Sequence, residues 1–275
     1  MNIDHQAVEA LLRQAANEEI LPLWQNLRKH QIEHKHPGDL VTAADKACEK
    51  FLTRELSSLL PGSLVIGEEA AHRDTGIMVA LASDLPVWVV DPLDGTGNFA
   101  AGVGPIAIMV CLVQQRQTLA AWIFDPVEDT LLQAERSAGT LLNGNLMKIS
   151  AHRGAVSAIQ GALSTRYLPE ELRHVASEAA QQLGKTRASG CAGYDYRALV
   201  NGDYQFVFYY RTLVWDHAPG VLITQEAGGH CGRYNGSNYK PVAEGSGLIG
   251  ATDPRTWEIL RNLLVPSESQ YVCSS

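Results

Sequence analysis

An apolar run that ends in two aspartates constrains this sequence more than any other feature does. Residues 87–90 read Val-Trp-Val-Val, the pattern of a buried β-strand, and Asp91 follows where the strand should leave the sheet. Pro92 lacks the N–H that the next ladder position needs, so the sequence predicts a turn that brings Asp94 back beside Asp91. Two carboxylates so close together repel each other, and a divalent cation is the simplest way to neutralise both.

Two glycines follow these aspartates and indicate a phosphate-binding turn. Gly95 and Gly97 permit positive φ and a close approach of the backbone to a ligand. If Thr96 opens a helix, the free N–H groups of the first turn would point at the same place as the cations. Cations beside free N–H donors describe a site for a phosphate group. The alternative is an acidic turn that contains glycines and binds nothing.

The composition is that of a folded globular protein with an acidic balance. Hydrophobic residues make up 45% of the 275 residues and charged residues 19%, which is far from the composition of a disordered chain. The net charge is −8 and no stripe of Lys and Arg appears, so we expect no nucleic-acid partner. The longest uncharged apolar stretch, residues 105–113, is much shorter than the roughly 20 residues that cross a bilayer, so we expect no membrane partner.

The start of the chain and the cysteines indicate a cytoplasmic protein. The first turns carry charged residues and lack the basic start and apolar run of a secretory signal. The five cysteines are an odd number with no C-x-x-C pair, so we expect reduced thiols rather than a disulfide framework.

Periodicity predicts an α/β fold in which helices and strands alternate in layers. The predicted helices cover residues 6–30, 42–60, 169–183, 192–201, 217–227 and 255–264. The predicted strands cover residues 63–67, 87–91, 105–114, 119–125, 130–135, 146–149 and 204–210. Thr42 followed by Asp45 is typical of a helix N-terminus, where Asp45 could serve only as a cap. We expect a single domain over 1–275, with lobes at roughly 1–150 and 151–265.

Two further acidic motifs stand at predicted element ends. Gly67-Glu68-Glu69 follows the strand at 63–66, and Asp216 lies in the motif WDHAPG, where it should open a helix. Each motif has a plain alternative. Glu68 and Glu69 fit a solvated loop, and Asp216 fits a helix cap.

Taken in order and spacing, these motifs resemble the inositol monophosphatase family of magnesium-dependent phosphatases. The resemblance rests on GEE at 67–69, WVVDPLDGTGNF at 88–99 and WDHAPG at 215–220, and it extends to DLVTAAD at 39–45 and EAGG at 226–229. It therefore covers nearly the whole chain. It implies a layered α-β-α-β-α sandwich of the sugar-phosphatase type, a homodimer, sensitivity to lithium and a small phosphomonoester as substrate.

The resemblance also implies a set of Mg²⁺ ligands. Glu68, Asp91 and the carbonyl of Leu93 would hold a first ion, and Asp91, Asp94 and Asp216 a second. A third and weaker ion would be held mainly through water and Glu68. Hard oxygen ligands of this kind suit Mg²⁺.

The same resemblance assigns the hydrolytic step and the phosphate contacts. Thr96 and Asp45 would orient and deprotonate the attacking water. The backbone N–H groups of Gly95 and Thr96 would hold phosphate oxygens.

The alcohol side of the site departs from the family pattern. Gly190, Cys191 and Ala192 match the helix start that meets substrate hydroxyls, with a thiol where Ser or Thr is usual. Tyr209 stands where inositol phosphatases carry a Glu, and Arg211 nearby fits either a second anionic group of the substrate or a surface cation. Histidinol phosphate, fructose 1,6-bisphosphate and 3′-phosphoadenosine nucleotides therefore stay open as substrates beside inositol phosphates.

Three other classes of protein compete with this interpretation. A haloacid-dehalogenase-type phosphatase has its nucleophile in D-x-D-G-T, and Pro92 and Leu93 put the second aspartate here out of that register. Residues 95–100 match the G-x-G-x-x-A of a dinucleotide-binding turn, but no Asp or Glu lies near position 115 to bind a ribose. The third alternative is a phosphatase-like protein that binds metal or partners without catalysis.

Overall fold

The computed structural model describes residues 3–36, 39–241 and 246–266. The helices within these ranges are α1 (His5–Ala15), α2 (Ala43–Leu59), α3 (Glu68–Arg73), α4 (Thr96–Ala100), α5 (Glu170–Ala180), α6 (Ala192–Asn201), α7 (Val214–Glu226) and α8 (Pro254–Leu264). None of these helices is long and apolar enough to cross a membrane.

The strands of the same ranges form a hairpin and two larger sheets. The hairpin pairs β1 (Ile32–His36) with β2 (Asp39–Thr42). The large sheet has the order β3 (Leu64–Gly67), β4 (Val87–Asp94), β5 (Ala107–Gln114), β6 (Gln117–Asp125), β7 (Thr130–Glu135), β8 (Gly139–Leu142) and β9 (Asn145–Met147). The small sheet contains β10 (Gly161–Leu163), β11 (Thr186–Arg187), β12 (Phe206–Arg211), β13 (His230–Gly232) and β14 (Ser246–Ala251), in the order β11-β10-β12-β14-β13.

Alternation along the large sheet separates two apolar layers. Because successive side chains of a strand point to opposite faces, Trp88 and Val90 of β4 pack with α1 and α2, whereas Val87 and Val89 pack on the other face. On that second face lie α6 and α7, which also contact the small sheet, for example through Val207 of β12. The α6–α7 pair is therefore the central layer between the two sheets.

The outer face of the small sheet is covered by α5 and α8. Phe206 and Phe208 of β12 pack there against Leu172 of α5 and Leu260 of α8. The layers thus run helix, sheet, helix, sheet, helix, and the predicted α/β fold with α-β-α-β-α layering is confirmed.

The structure corrects three details of the sequence predictions. The first helix ends at Ala15, and a π-helical turn and a 3₁₀ turn follow to Leu23, because Pro22 cannot donate a helical hydrogen bond. The ladder of β4 does not stop at Pro92 but resumes at Asp94 after a bulge. Helix α7 begins at Val214, so Asp216 lies within its first turn rather than capping it.

Candidate active site

The register of the parallel pair β3 and β4 brings two predicted ligands to the same edge of the sheet. Gly67 lies opposite Val90, so the next residues, Glu68 and Asp91, leave the two strands side by side. Glu68 is also the first residue of α3.

The bulge in β4 brings Asp94 to the same edge of the sheet as Glu68 and Asp91. The ladder register shifts between Asp91 and Asp94, which returns Asp94 to a position opposite Ala107. The Leu93 N–H donates to Asp91 Oδ1 at 3.0 Å, and the Leu93 carbonyl oxygen lies 2.9 Å from the Thr96 hydroxyl, whose single proton can be donated either to this carbonyl or to Asp45. A bulge of this kind redirects side chains next to active sites, and here it closes the loop between the two aspartates.

Gly95 makes the turn into helix α4, and only glycine fits there. Its φ is +86°, in the left-handed region, and a Cβ on it would lie 2.8 Å from the Pro105 carbonyl oxygen. Gly97 is not required by backbone strain or by a close contact. Nothing lies within 4 Å of the place where its Cβ would be, so its lack of a side chain leaves room beside the helix start.

A cavity of about 240 Å³ lies where these elements meet. All the residues predicted to bind metal, phosphate or substrate line it, from Glu68 of α3 to Asp216 of α7. Asp45 is not part of the lining. It reaches the cavity through Thr96, whose hydroxyl donates to Asp45 Oδ1 at 3.0 Å.

Asp45 contacts both Thr42 and Thr96, so it can cap helix α2 and also take part in the predicted hydrolytic step. Its Oδ2 accepts from the N–H of Thr42 at 2.8 Å and from the Thr42 hydroxyl, completing the capping box of α2. Its Oδ1 is left for Thr96. Burial raises the pKa of Asp45 to about 7, so this carboxylate is poised to accept a proton near neutral pH.

The carboxylates of the cavity favour one another's protonated forms. Burial raises the pKa of Asp91 and of Asp216 well above the usual range, and the nearby charges of Glu68 and Asp94 raise both pKa values further. Burial also raises the pKa of Asp94 to about 6. Arg211 acts in the opposite direction and lowers the pKa of Asp216.

The chemistry of these donors fits a hard divalent cation. Carboxylate oxygens that repel one another in a buried cavity gain most from a bound positive charge, and oxygen is the ligand that Mg²⁺ prefers. No three His, Cys, Asp or Glu side chains within the described ranges are arranged as a ready metal site. Asp91 and Asp94 accept instead from neighbouring groups, Asp91 from the Leu93 N–H and Asp94 from two donors of the α6 start.

Asp94 shows these local donors in detail. Its Oδ2 accepts from the Gly193 N–H at 2.6 Å and from the Cys191 thiol at 3.2 Å. Both donors belong to the start of helix α6, so the N-terminus of this helix contacts a predicted metal ligand directly. The side chain of Cys191 is thus directed at Asp94, and its predicted contact with substrate stays a prediction.

Sequence reasoning missed Glu49, which holds the start of helix α3. The side chain crosses from α2 and accepts from the N–H groups of Glu69 at 2.6 Å and Ala70 at 2.9 Å. A Cβ on Gly67 would lie 2.3 Å from this carboxylate, which explains the glycine of the GEE motif. Glu49 is predicted from neither periodicity nor spacing, because its partners lie about 20 residues further along the chain.

Exchange of Glu49 for Gln tests this support. The amide of Glu49→Gln has one acceptor instead of two, so the variant should lose about 1–2 kcal/mol of stability, as lost helix caps do. We also expect several-fold weaker Mg²⁺ activation, because Glu68 belongs to the same helical turn. Thermal melting and Mg²⁺ titration of turnover measure both effects. Glu55→Gln, at a surface ion pair on α2, is the matched control, and equal behaviour of the two variants would refute the role.

Asn98 and Asp195 were also missed. The Asn98 amide donates to the carbonyls of Pro105 at 2.8 Å and Ser189 at 3.0 Å, which joins α4 to the segment before α6. Asp195 is buried in α6, lines the cavity and accepts from the Tyr209 hydroxyl at 2.8 Å. The one signal for Asp195 in the sequence was an acidic residue in the first turn of the helix predicted at 192–201.

The comparisons with known proteins agree with this fold. The chain matches the family model described as the inositol monophosphatase family over residues 3–269. The crystal structure of extragenic suppressor protein suhB from Bartonella henselae superposes with a TM-score of 0.83 and 24% identity, covering 95% of this chain and 98% of that chain. The molecule is therefore a layered α/β protein of the inositol monophosphatase and SuhB fold.

Sequence relatives define the family further. An inositol-1-monophosphatase of Rhizobium meliloti (strain 1021) is 33% identical, covering 80% of this chain and 81% of its own length. A protein named Nus factor SuhB from Pseudomonas aeruginosa is 28% identical, covering 82% of this chain and 83% of its own length. This chain belongs to the inositol monophosphatase family.

Proposed function

We propose that this protein hydrolyses a small phosphate monoester of a polyol or sugar with the help of Mg²⁺. The observation that carries the proposal is the hydrogen bond from Thr96 to Asp45, set at the edge of a cavity lined by buried carboxylates. This pair can take a proton from water, and the carboxylates can hold the cations that a phosphate needs. Membership of the family supports a phosphatase.

The residues that would hold the metal are those implied by the family pattern. Glu68, Asp91 and the Leu93 carbonyl would bind one Mg²⁺, and Asp91, Asp94 and Asp216 a second, with a weaker third ion near Glu68. When bound, such ions lower the pKa of water and stabilise negative charge on the phosphoryl group.

The chain itself supplies the path for the proton. Water donates to the Thr96 oxygen while the Thr96 hydroxyl donates to Asp45, so one proton moves to the carboxylate as the water oxygen bonds to phosphorus. The bond from phosphorus to the alcohol oxygen then breaks, and the alkoxide takes a proton from solvent. Inorganic phosphate and the free alcohol are the products.

Backbone groups would hold the phosphate during this displacement. The N–H groups of Gly95 and Thr96 lie at the start of α4, where helical hydrogen bonding does not use them, and the Gly95 N–H donates to Asp94 in this structure. Charge that develops on phosphate oxygens is stabilised by such fixed donors.

The wall formed by Gly190, Cys191, Ala192, Tyr209 and Arg211 would face the alcohol part of the substrate. The Tyr209 hydroxyl donates a hydrogen bond to Asp195 Oδ2, so a phenol and a buried carboxyl group replace the single Glu expected in an inositol phosphatase. We therefore propose that the range of substrates includes polyol or sugar phosphates other than inositol phosphate.

A substrate panel tests the function. With Mg²⁺ present, phosphate release should be measured for inositol monophosphates, histidinol phosphate, fructose 1,6-bisphosphate and 3′-phosphoadenosine nucleotides. We expect turnover of at least one ester, and the ranking of kcat/KM identifies the substrate class. Absence of release from every ester would favour the non-catalytic alternative, to which the name Nus factor SuhB of some relatives draws attention.

Replacement of Thr96 by Val tests the proton path. Thr96→Val keeps the side-chain shape and removes the hydroxyl, so kcat should fall about a hundredfold while KM changes little. Thr53→Val, at an exposed position of α2, is the control and should keep full activity. An unchanged kcat in Thr96→Val would refute the relay.

We further propose that residues 1–275 act as a single domain and form a cytoplasmic homodimer, as the family resemblance implies. The single domain is supported by one continuous core cluster, which contains side chains of both sheets and of α6 and α7. Sedimentation or light scattering of the purified chain measures the oligomeric state.

A further inference from the structure

Two arginines and a tyrosine, Arg166, Arg211 and Tyr167, line one part of the cavity, which we call the outer wall. The guanidinium carbon of Arg211 lies 3.8 Å from the centre of the Tyr167 ring, and that of Arg166 lies 5.1 Å from the same ring. All three residues line the cavity. Both cations are therefore held against one aromatic ring, at distances at which cations and ring faces attract.

The topology of the small sheet brings this group together. Strands β10 and β12 are parallel neighbours, with Leu163 opposite Phe208. Arg166 and Tyr167 follow β10 by a few residues, and Arg211 ends β12, so all three emerge at the carboxyl-end edge of the sheet. Ligands of α/β proteins bind at such edges.

The position of Arg211 is fixed from behind. The Arg211 carbonyl accepts from Nε2 of the buried His217 at 3.3 Å, and Nδ1 of His217 lies 3.1 Å from the Tyr196 hydroxyl. The ladder to β14 holds the same residue opposite Ser246. A guanidinium on so firmly placed a backbone can select a ligand by position, not only by charge.

The cavity carries charges of both signs. Strand β4 and the first turns of α3 and α7 carry the predicted metal ligands, whereas the segment after β10 and the end of β12 carry two guanidinium groups, of which Arg166 is exposed. The cavity of a chain with net charge −8 thus has a cationic outer wall. A neutral polyol has no group that needs this wall, whereas an anion bonds well to Arg.

We propose that the substrate carries a second anionic group, a carboxylate or a second phosphate, which binds Arg166 and Arg211 while the scissile phosphate lies at Gly95. This inference rests on the proposed phosphatase function and narrows it to esters that are anionic at both ends. The Tyr167 ring holds the guanidinium groups in place. The preference is a property of this outer wall, and because Arg211 also acts on the charge of Asp216, the ratio within a matched pair of esters is the quantity that isolates it.

Matched pairs of esters test the proposal. 6-Phosphogluconate and glucitol 6-phosphate differ only in having a carboxylate or an alcohol at C1, and fructose 1,6-bisphosphate and fructose 1-phosphate differ in the second phosphate at C6. We expect kcat/KM to favour the doubly anionic member of at least one pair by about tenfold to a hundredfold, the range of hydrogen bonds to charged groups. The pair that shows the preference identifies the anion.

Variants then assign the preference to the two arginines. Arg211→Gln and Arg166→Gln should each reduce the ratio of kcat/KM within the pair about tenfold, and the ratio cancels any loss common to both esters. Arg211→Lys should restore part of the ratio, because it keeps the charge without the planar fork. Arg153→Gln, at an exposed arginine outside the cavity, should leave the ratio unchanged.

The outcomes separate this inference from the function on which it rests. Turnover of both members of each pair at equal kcat/KM would overturn the second-anion site and leave the phosphatase intact. A preference that survives in Arg166→Gln and Arg211→Gln would also overturn it. Absence of turnover for all four esters and for the wider panel would refute the phosphatase itself.

Discussion

Asp94→Asn should lower kcat/KM by about a thousandfold or more and leave the fold intact. The change removes one negative charge from the predicted metal site, and charge at such a site acts mainly on the transition state. Asn keeps the side-chain oxygen that accepts from the Gly193 N–H, so the contact of α6 with β4 should survive. Steady-state kinetics at saturating Mg²⁺ measures the loss.

The stability of the same variant gives an independent test. Burial raises the pKa of Asp94 to about 6, so the charged form is unfavourable in the metal-free fold. Metal-free Asp94→Asn should therefore melt at the same temperature as the wild type or higher, and Mg²⁺ should stabilise it less. Asp84→Asn, at an exposed aspartate, is the control. Turnover like that of the wild type at limiting Mg²⁺ would show that Asp94 holds no metal.

Removal of the metal should abolish turnover and expose a pH dependence of stability. A carboxyl whose folded pKa lies above its unfolded pKa stabilises the fold fully below the unfolded value, and this contribution is lost as pH rises through the folded value. Asp45, with a pKa raised from 3.8 to about 7, and Asp94, with a pKa raised from 3.8 to about 6, are of this kind. A tenfold change in the acid dissociation constant of a carboxyl on folding corresponds to about 1.4 kcal/mol.

The expected result is a metal-free protein that becomes modestly less stable between pH 6.5 and pH 8, mainly through Asp45, because most of the Asp94 contribution is already lost by pH 6.5. Burial lowers the pKa of His217 to about 3, so this residue destabilises the fold only as pH falls below its unfolded value near 6.5, outside that window. Mg²⁺ at about 100 times its Kd should add about 2.7 kcal/mol, or roughly 5 °C in Tm, and more at pH 8 than at pH 6.5.

Melting curves in EDTA and in Mg²⁺ at the two pH values measure this effect, and Ca²⁺ controls for general binding of cations. A metal-free protein that is more stable at pH 8 would contradict the raised pKa values. Full turnover in EDTA would contradict the metal dependence itself.

Local chemistry made several elements predictable from the sequence. The capping residues Thr42 and Asp45 located the start of α2, and the amphipathic run at 192–201 coincides with α6. The apolar run that ends at Asp91 predicted the central strand of the site. Each of these signals lies within a few residues of the structure that it predicts.

The features that the sequence could not predict depend on contacts between distant segments. Glu49 reaches α3 from another helix. The outer wall of Arg166, Tyr167 and Arg211 depends on the parallel register of β10 and β12, which no local pattern encodes. The bulge after Asp91 was missed because a proline in a strand usually ends the ladder, whereas here β5 supplies a partner again at Asp94. Tertiary pairing overrode the local preference in each case.

The double hydrogen bonding of Asp45 has a practical consequence for crystallography of this protein with an intact ester. An inactivated protein for trapping substrate is usually made by neutralising the proton acceptor, but Asp45→Asn would also disturb the first turn of α2. Thr96→Val removes the proposed relay and leaves that turn alone, so it is the better choice for soaking experiments.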